Sequence, residues 1–211
     1  MEPFFQADRL WPAGHRELQL MIIPDLRRDD ELACLVKSCR DILREHPATT
    51  RPVPDEALHL TVQPIRPPTD GAVDPALRAA LITALGPVLA DVPAFEMLIG
   101  SVLTQARGVV ADTHHNAPFD DLIDRVRPVI AELCGPEAVT HDSRPAHMAL
   151  CYADGNACSD ALQRRLRHGL RPSHARITVN AIALVETVQI PEHCLYASTV
   201  LHSFPLAGAS R

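Results

Sequence analysis

The sequence has no apolar run near the ~20 residues that a bilayer-crossing helix needs; its longest, such as LQLMII and AIALV, fall far short. No membrane span is expected. The opening residues, MEPFFQADRLW, lack a basic segment followed by an apolar stretch, so no secretory leader is read there and a cytoplasmic address is expected. Lysine is almost missing, with Lys37 the only one among 20 basic residues. Combined with a formal net charge of −6, this composition argues against a protein that wraps a long nucleic acid, which needs clustered cationic side chains. The six cysteines, Cys34, Cys39, Cys134, Cys151, Cys158 and Cys194, include no CxxC pair. They read as reduced, mostly buried thiols, and neither a disulfide framework nor a cysteine metal site is expected.

What is present is enough apolar material for a sizeable core, 46% of 211 residues. Leu18 to Ile23 reads as a strand that Pro24 and Asp25 end. Asp29 and Asp30 can cap a helix in which Leu32, Leu35, Val36, Cys39, Ile42 and Leu43 recur at helical spacing. A strand at ALHLTVQPI (57 to 65) follows, closed by the turn-rich RPPTDGA. Asp74-Pro75 then opens a helix to about Leu89, with a kink or early end expected at Gly86-Pro87, and Phe95 to Leu103 reads as another strand. The order then recurs. GVVA from Gly108 is a strand, Asn116 and Pro118 open a helix to Gly135, AHMALCY (146 to 152) is a strand, and Cys158 to Leu170 is a helix with an arginine-rich outer face. Strands at about 175 to 188 and 195 to 204 complete the chain, separated by Pro191.

The chain therefore looks duplicated, with about forty residues between the first strand of each copy and the later strand that bears a histidine. In the first copy His59, Thr61 and Gln63 share one strand face while Leu58, Leu60 and Val62 share the other. In the second, His147, Ala149 and Cys151 share a face opposite Met148, Leu150 and Tyr152. Alone, either strand is an ordinary half-buried strand with a wet side. Together, facing a common cleft, they offer two imidazoles to one bound group, one able to accept a proton and the other to give one. Such a pair suits acid-base chemistry on a phosphate ester. A hydroxyl two residues after a histidine lies about 6 to 7 Å along the strand, near enough to donate to a phosphoryl oxygen.

On these residues the sequence resembles the two-histidine (2H) phosphoesterases, including bacterial 2′-5′ RNA ligase-like proteins, which carry two His-x-Thr/Ser-x motifs in duplicated lobes. LHLTV at 58 to 62 matches fully and HMAL at 147 to 150 in part; RELQLMIIPDL, PVPDEALHLTVQ and RPAHMALCYA resemble family segments in order and spacing. The resemblance implies an α/β (α+β) fold over residues 1–211, one bilobal domain with antiparallel-rich sheets around a central cleft and helices outside. The lobes are expected at about 15–103 and 104–205. It also implies a phosphodiesterase that needs no metal or other cofactor, acting on a 2′,3′-cyclic phosphate or 2′-5′ phosphodiester of a small nucleotide or RNA end. His59 and His147 would be the acid-base pair and Thr61 the phosphate donor. The departure is Ala149, where the family has Thr or Ser; the alternative it opens is a weakened binding module on the same fold.

Other polar residues are candidates only for lining the cleft: Gln63 on the His59 face, Ala149 and Cys151 on the His147 face, and Arg66 and Arg144 beside the motif strands. Cys151 lies four residues, about 13 Å, from His147, too far to form a nucleophile-base pair. Tyr152 is expected to point away and pack. His114-His115 and His141 complete no metal-ligand spacing.

Overall fold

The computed structural model describes residues 1–66 and 74–209. Its elements run β1 (Glu17–Ile22), α1 (Asp30–Leu43), β2 (Thr50–Pro52), β3 (Leu60–Ile65), α2 (Pro75–Ala90), β4 (Phe95–Gln105), β5 (Gly108–Thr113), α3 (Ala117–Cys134), β6 (His147–Ala153), α4 (Ser159–Gly169), β7 (Ala175–Val179), β8 (Ala181–Ile190) and β9 (Leu195–Pro205). The turn expected after β3 falls mainly on residues 67 to 72, outside the described residues.

Local chemistry accounts for most boundaries. Asn116 opens α3 by accepting a hydrogen bond from the Phe119 N–H at 3.0 Å, and Asp74 opens α2 by accepting from Ala76 N–H at 2.9 Å. Asp29 precedes α1 but does not cap it; its carboxylate faces Arg28 and the Asp25 N–H instead. Helix α2 passes through Gly86-Pro87 to Ala90 where a kink or early end was the expectation. Leu81, Leu85 and Leu89 form one buried stripe along it, and that packing outweighs the local penalty of proline. The single strand expected at 175 to 188 is two, divided at Asn180.

The nine strands among the described residues belong to one curled antiparallel sheet in the order β7-β4-β5-β6-β3-β1-β8-β9, with β2 added beside β6. Helices α2 and α3 pack together over the β3 side, and α1 and α4 over the β6 side, leaving the other face open. One apolar core runs through both sides. The sheet halves are not the consecutive stretches 15–103 and 104–205. The two-residue turn at Ala106-Arg107 holds β4 against β5, in the β6 half, and β8 returns to pair with β1 and brings β9 with it. Sequence order does not reveal this exchange, because hairpin geometry, not order, chooses the partner.

Residues 1 to 16 form an arm across one end of the open face. The Met1 ammonium donates to Ala157 O, Glu2 N–H to Ala106 O and Phe4 N–H to Ala153 O, tying the arm to the β6 half. Farther on, Trp11 N–H donates to Gln189 Oε1 at 2.8 Å and Gln189 Nε2 to Arg9 O at 3.1 Å, tying it to the β8 half.

Candidate active site

Strands β3 and β6 meet at one antiparallel pair, Leu60 with Met148, both fully buried against the helices. Burying each of these side chains contributes roughly 1.5 to 3 kcal/mol, and a one-residue slip of either strand would expose them, so the register is pinned. Residues adjacent to a strand pair face the opposite way. His59, Thr61, His147 and Ala149 thus come together on the open face, and all four border a cavity of about 800 Å³.

The two histidines are held differently. His59 Nδ1 donates to the Ala57 carbonyl at 2.8 Å. A carbonyl only accepts, so Nδ1 carries the proton and Nε2 is left as the basic nitrogen of the neutral ring. Burial pushes the His59 pKa below its ordinary value; the Ala57 bond partly opposes this, and the charge on nearby His147 adds to the lowering. His147 opens β6, is exposed, and lies directly across from Asp112 on β5. Thr61 is half-buried across from Met21, whereas Ala149, across from Val110, brings only a methyl group.

A β-bulge follows each motif at the same place. On β3, Thr61 pairs with Met21 but Gln63 pairs with Leu20, so Val62 is the extra residue; on β6, Ala149 pairs with Val110 but Cys151 with Val109, so Leu150 is extra. Each bulge lies three residues after its histidine. A bulge reverses the alternation beyond it. Gln63, expected on the His59 face, is therefore turned inside: it is fully buried, and its Nε2 donates to Pro64 O and His141 O at 2.9 and 3.1 Å. Pro64 takes its place at the cavity. By the same reversal Tyr152, expected to point away, borders the cavity. Gly108, paired with Tyr152, permits the tight approach, since a β-carbon there would sit 2.2 Å from Cys151 O.

The remaining candidates separate clearly. Arg144 borders the cavity, but its guanidinium is engaged by Asp142 at 2.8 and 2.9 Å and by Asp124 at 3.0 Å. Hydrogen bonding to Arg144 brings the Asp142 carboxyl down to about 2. Arg66 is exposed and does not border the cavity; its N–H donates to Ala138 O. Cys151, expected on the His147 face, is the counterpart of Gln63 just beyond the bulge and is likewise buried in the core, touching the cavity wall; its thiol donates to Tyr152 O at 3.2 Å, and burial pushes its pKa up to about 12. Among the described residues no group of three or more His, Cys, Asp or Glu is arranged to hold a metal ion.

Sequence reasoning missed the aromatic end of the cleft. The chain has one tryptophan, two tyrosines and five phenylalanines, and Trp11, both tyrosines, Phe4 and Phe5 form one cluster there. Ring centroids stand 4.6 Å apart for Phe4 and Tyr152 and 5.3 Å apart for Trp11 and Tyr196. The available signal was composition: in a chain with 4% aromatics, three within the first eleven residues suggest a docked arm.

The fold that holds this cleft, a curled antiparallel sheet with helices on one face, is shared with solved structures that include Escherichia coli LigT, and the comparison bears out the expected α+β architecture. TT0787 of Thermus thermophilus superposes with a TM-score of 0.68 at 18% identity, over 92% of this chain and 100% of its own. Escherichia coli LigT complexed with 3′-AMP gives 0.64 at 15% identity, over 92% and 99%. A further structure described as a phosphoesterase gives 0.62 at 15% identity, over 91% and 99%. No protein-family model and no curated protein matches the sequence. No described helix is long and apolar enough to cross a membrane.

Proposed function

We propose that this protein is a two-histidine phosphodiesterase acting on a 2′,3′-cyclic phosphate or a 2′-5′ phosphodiester of a small nucleotide or RNA end. The observation that carries this reading is the meeting of His59 and His147 on one face of one cleft, across the Leu60–Met148 pair. In the step, water attacks phosphorus and His59 Nε2 takes its proton. The bond from phosphorus to the leaving ribose oxygen breaks, and protonated His147 gives that oxygen a proton; solvent exchange resets both rings. His59 suits the base role because burial favours its neutral form and Ala57 fixes the tautomer with Nε2 basic. His147, on the facing strand across the Leu60–Met148 pair, is left as the acid. The Thr61 hydroxyl donates to a non-bridging phosphoryl oxygen. The small-nucleotide class is supported by E. coli LigT, which has been solved with 3′-AMP and with ATP.

The test is hydrolysis of a panel of 2′,3′-cyclic nucleotides and 2′-5′ dinucleotides by the wild type, His59→Ala and His147→Ala. Turnover in the wild type alone supports the reading; equal rates in all three remove it. Ala149 favours a second reading, a nucleotide-binding module that holds phosphate without turning it over. Calorimetric binding of a nucleoside phosphate with no product after long incubation would decide for that one.

A further inference from the structure

The N-terminal arm does more than cover apolar surface. It crosses from Ala106, Ala153 and Ala157 on one sheet half to Gln189 on the other, and on the way delivers Phe4 and Trp11 to the cavity that holds His59 and His147. There they meet Tyr152 and Tyr196, so flat aromatic faces line the end of a cleft whose centre is polar. Polar groups sit among these rings. Arg107 borders the same cavity; its Nε is engaged by Glu2 of the arm, while its Nη1 is buried without a hydrogen-bond partner. A buried guanidinium donor left without an acceptor is unfavourable, and a ligand that brings an acceptor removes the penalty. Gln105 lines the same end.

Aromatic faces with hydrogen-bond donors beside them fit a flat heteroaromatic ring carrying acceptors, which can stack on a ring and accept at its edge. We propose that the arm builds a nucleobase subsite, with Trp11 as the residue against which the base lies and Arg107 as donor to its edge. This rests on the phosphodiesterase reading only for the phosphate that anchors the other end of the ligand. Base selection then resides in a segment outside the two repeated motifs.

Trp11 is the sole tryptophan, so its emission reports on this end of the cleft alone. Titrating the intact protein with adenosine 3′-monophosphate should change Trp11 fluorescence, whereas inorganic phosphate and ribose 5-phosphate should not. Calorimetry on Trp11→Ala should show adenosine 3′-monophosphate binding weakened on the order of tenfold, with phosphate binding unchanged and Trp11→Phe restoring most of the loss. Unchanged fluorescence at saturating nucleotide, or equal weakening of phosphate and nucleotide in Trp11→Ala, would overturn the subsite. The two readings fail separately: fluorescence change without turnover keeps the subsite and removes the activity. Turnover with silent fluorescence and an unchanged KM in Trp11→Ala does the reverse.

Discussion

The β3 and β6 motifs are built on the same backbone and furnished differently. Each has a histidine, a buried apolar residue, a position facing the cleft, and then a bulge, Val62 in one and Leu150 in the other. Yet His59 is half-buried with its ring tied to Ala57, whereas His147 is exposed, and Thr61 faces the cleft where the other strand has Ala149. Backbone equivalence therefore does not carry chemical equivalence. The two strands have the geometry of a matched pair and the side chains of an unmatched one, which is what a reaction needing one base and one acid requires.

Removing either histidine is the strongest way to break that comparison. His59→Ala and His147→Ala should each lower hydrolysis of a 2′,3′-cyclic nucleotide by on the order of 10²- to 10⁴-fold, read as product formed under single-turnover conditions. A smaller effect is expected from making the halves alike. Thr61→Ala deletes a hydrogen bond to a charged group worth about 1.5 to 3 kcal/mol, a loss of roughly ten- to a hundredfold, and Ala149→Thr should raise turnover by supplying a second donor. No gain from Ala149→Thr would mean that the second position takes no part in holding phosphate.

Stability sharpens the contrast further. The residue opposite Tyr152 is Gly108, where a side chain would meet the Cys151 carbonyl; the equivalent place opposite Pro64 is Gln19, which already carries one. Gly108→Ala should cost about 1 to 3 kcal/mol in urea unfolding, while Gln19→Ala should stay within about 0.5 kcal/mol. The smallest effect concerns pH. Because the His59 pKa is lowered, its neutral form persists below the ordinary imidazole range, and the acid limb of the rate profile should lie there, rate falling as pH drops through it. Replacing His147 by Gln removes the lesser, electrostatic part of that lowering. The His59 ring resonance should then titrate at a slightly higher pH, while burial keeps it below the ordinary value.

How far the sequence could be read depended on the range of the forces involved. The helices were legible because caps such as Asp74 and Asn116 and the buried spacing of Leu32 to Leu43 are local signals. The motif strands were legible because alternation puts Leu60 and Met148 against the core and both histidines on the other side. The bulges were not, since an extra residue shows only in the pairing with a neighbouring strand, and so Gln63, Cys151 and Tyr152 were read onto the wrong faces. The exchange of β4 and β8 between the halves, and the docking of Phe4 and Trp11, are likewise contacts between residues far apart in the chain.

The bulge at Leu150 also bears on the evolvability of the site. A backbone distortion repeated three residues after each histidine gives both motif strands one plan, and in the second it stands beside a side chain that offers no hydroxyl. The architecture that would aim such a hydroxyl is still in place. Any alanine codon becomes a threonine codon by a single G-to-A change, so one nucleotide separates this protein from two matching motifs. Selection could cross that step in either direction without rebuilding a strand.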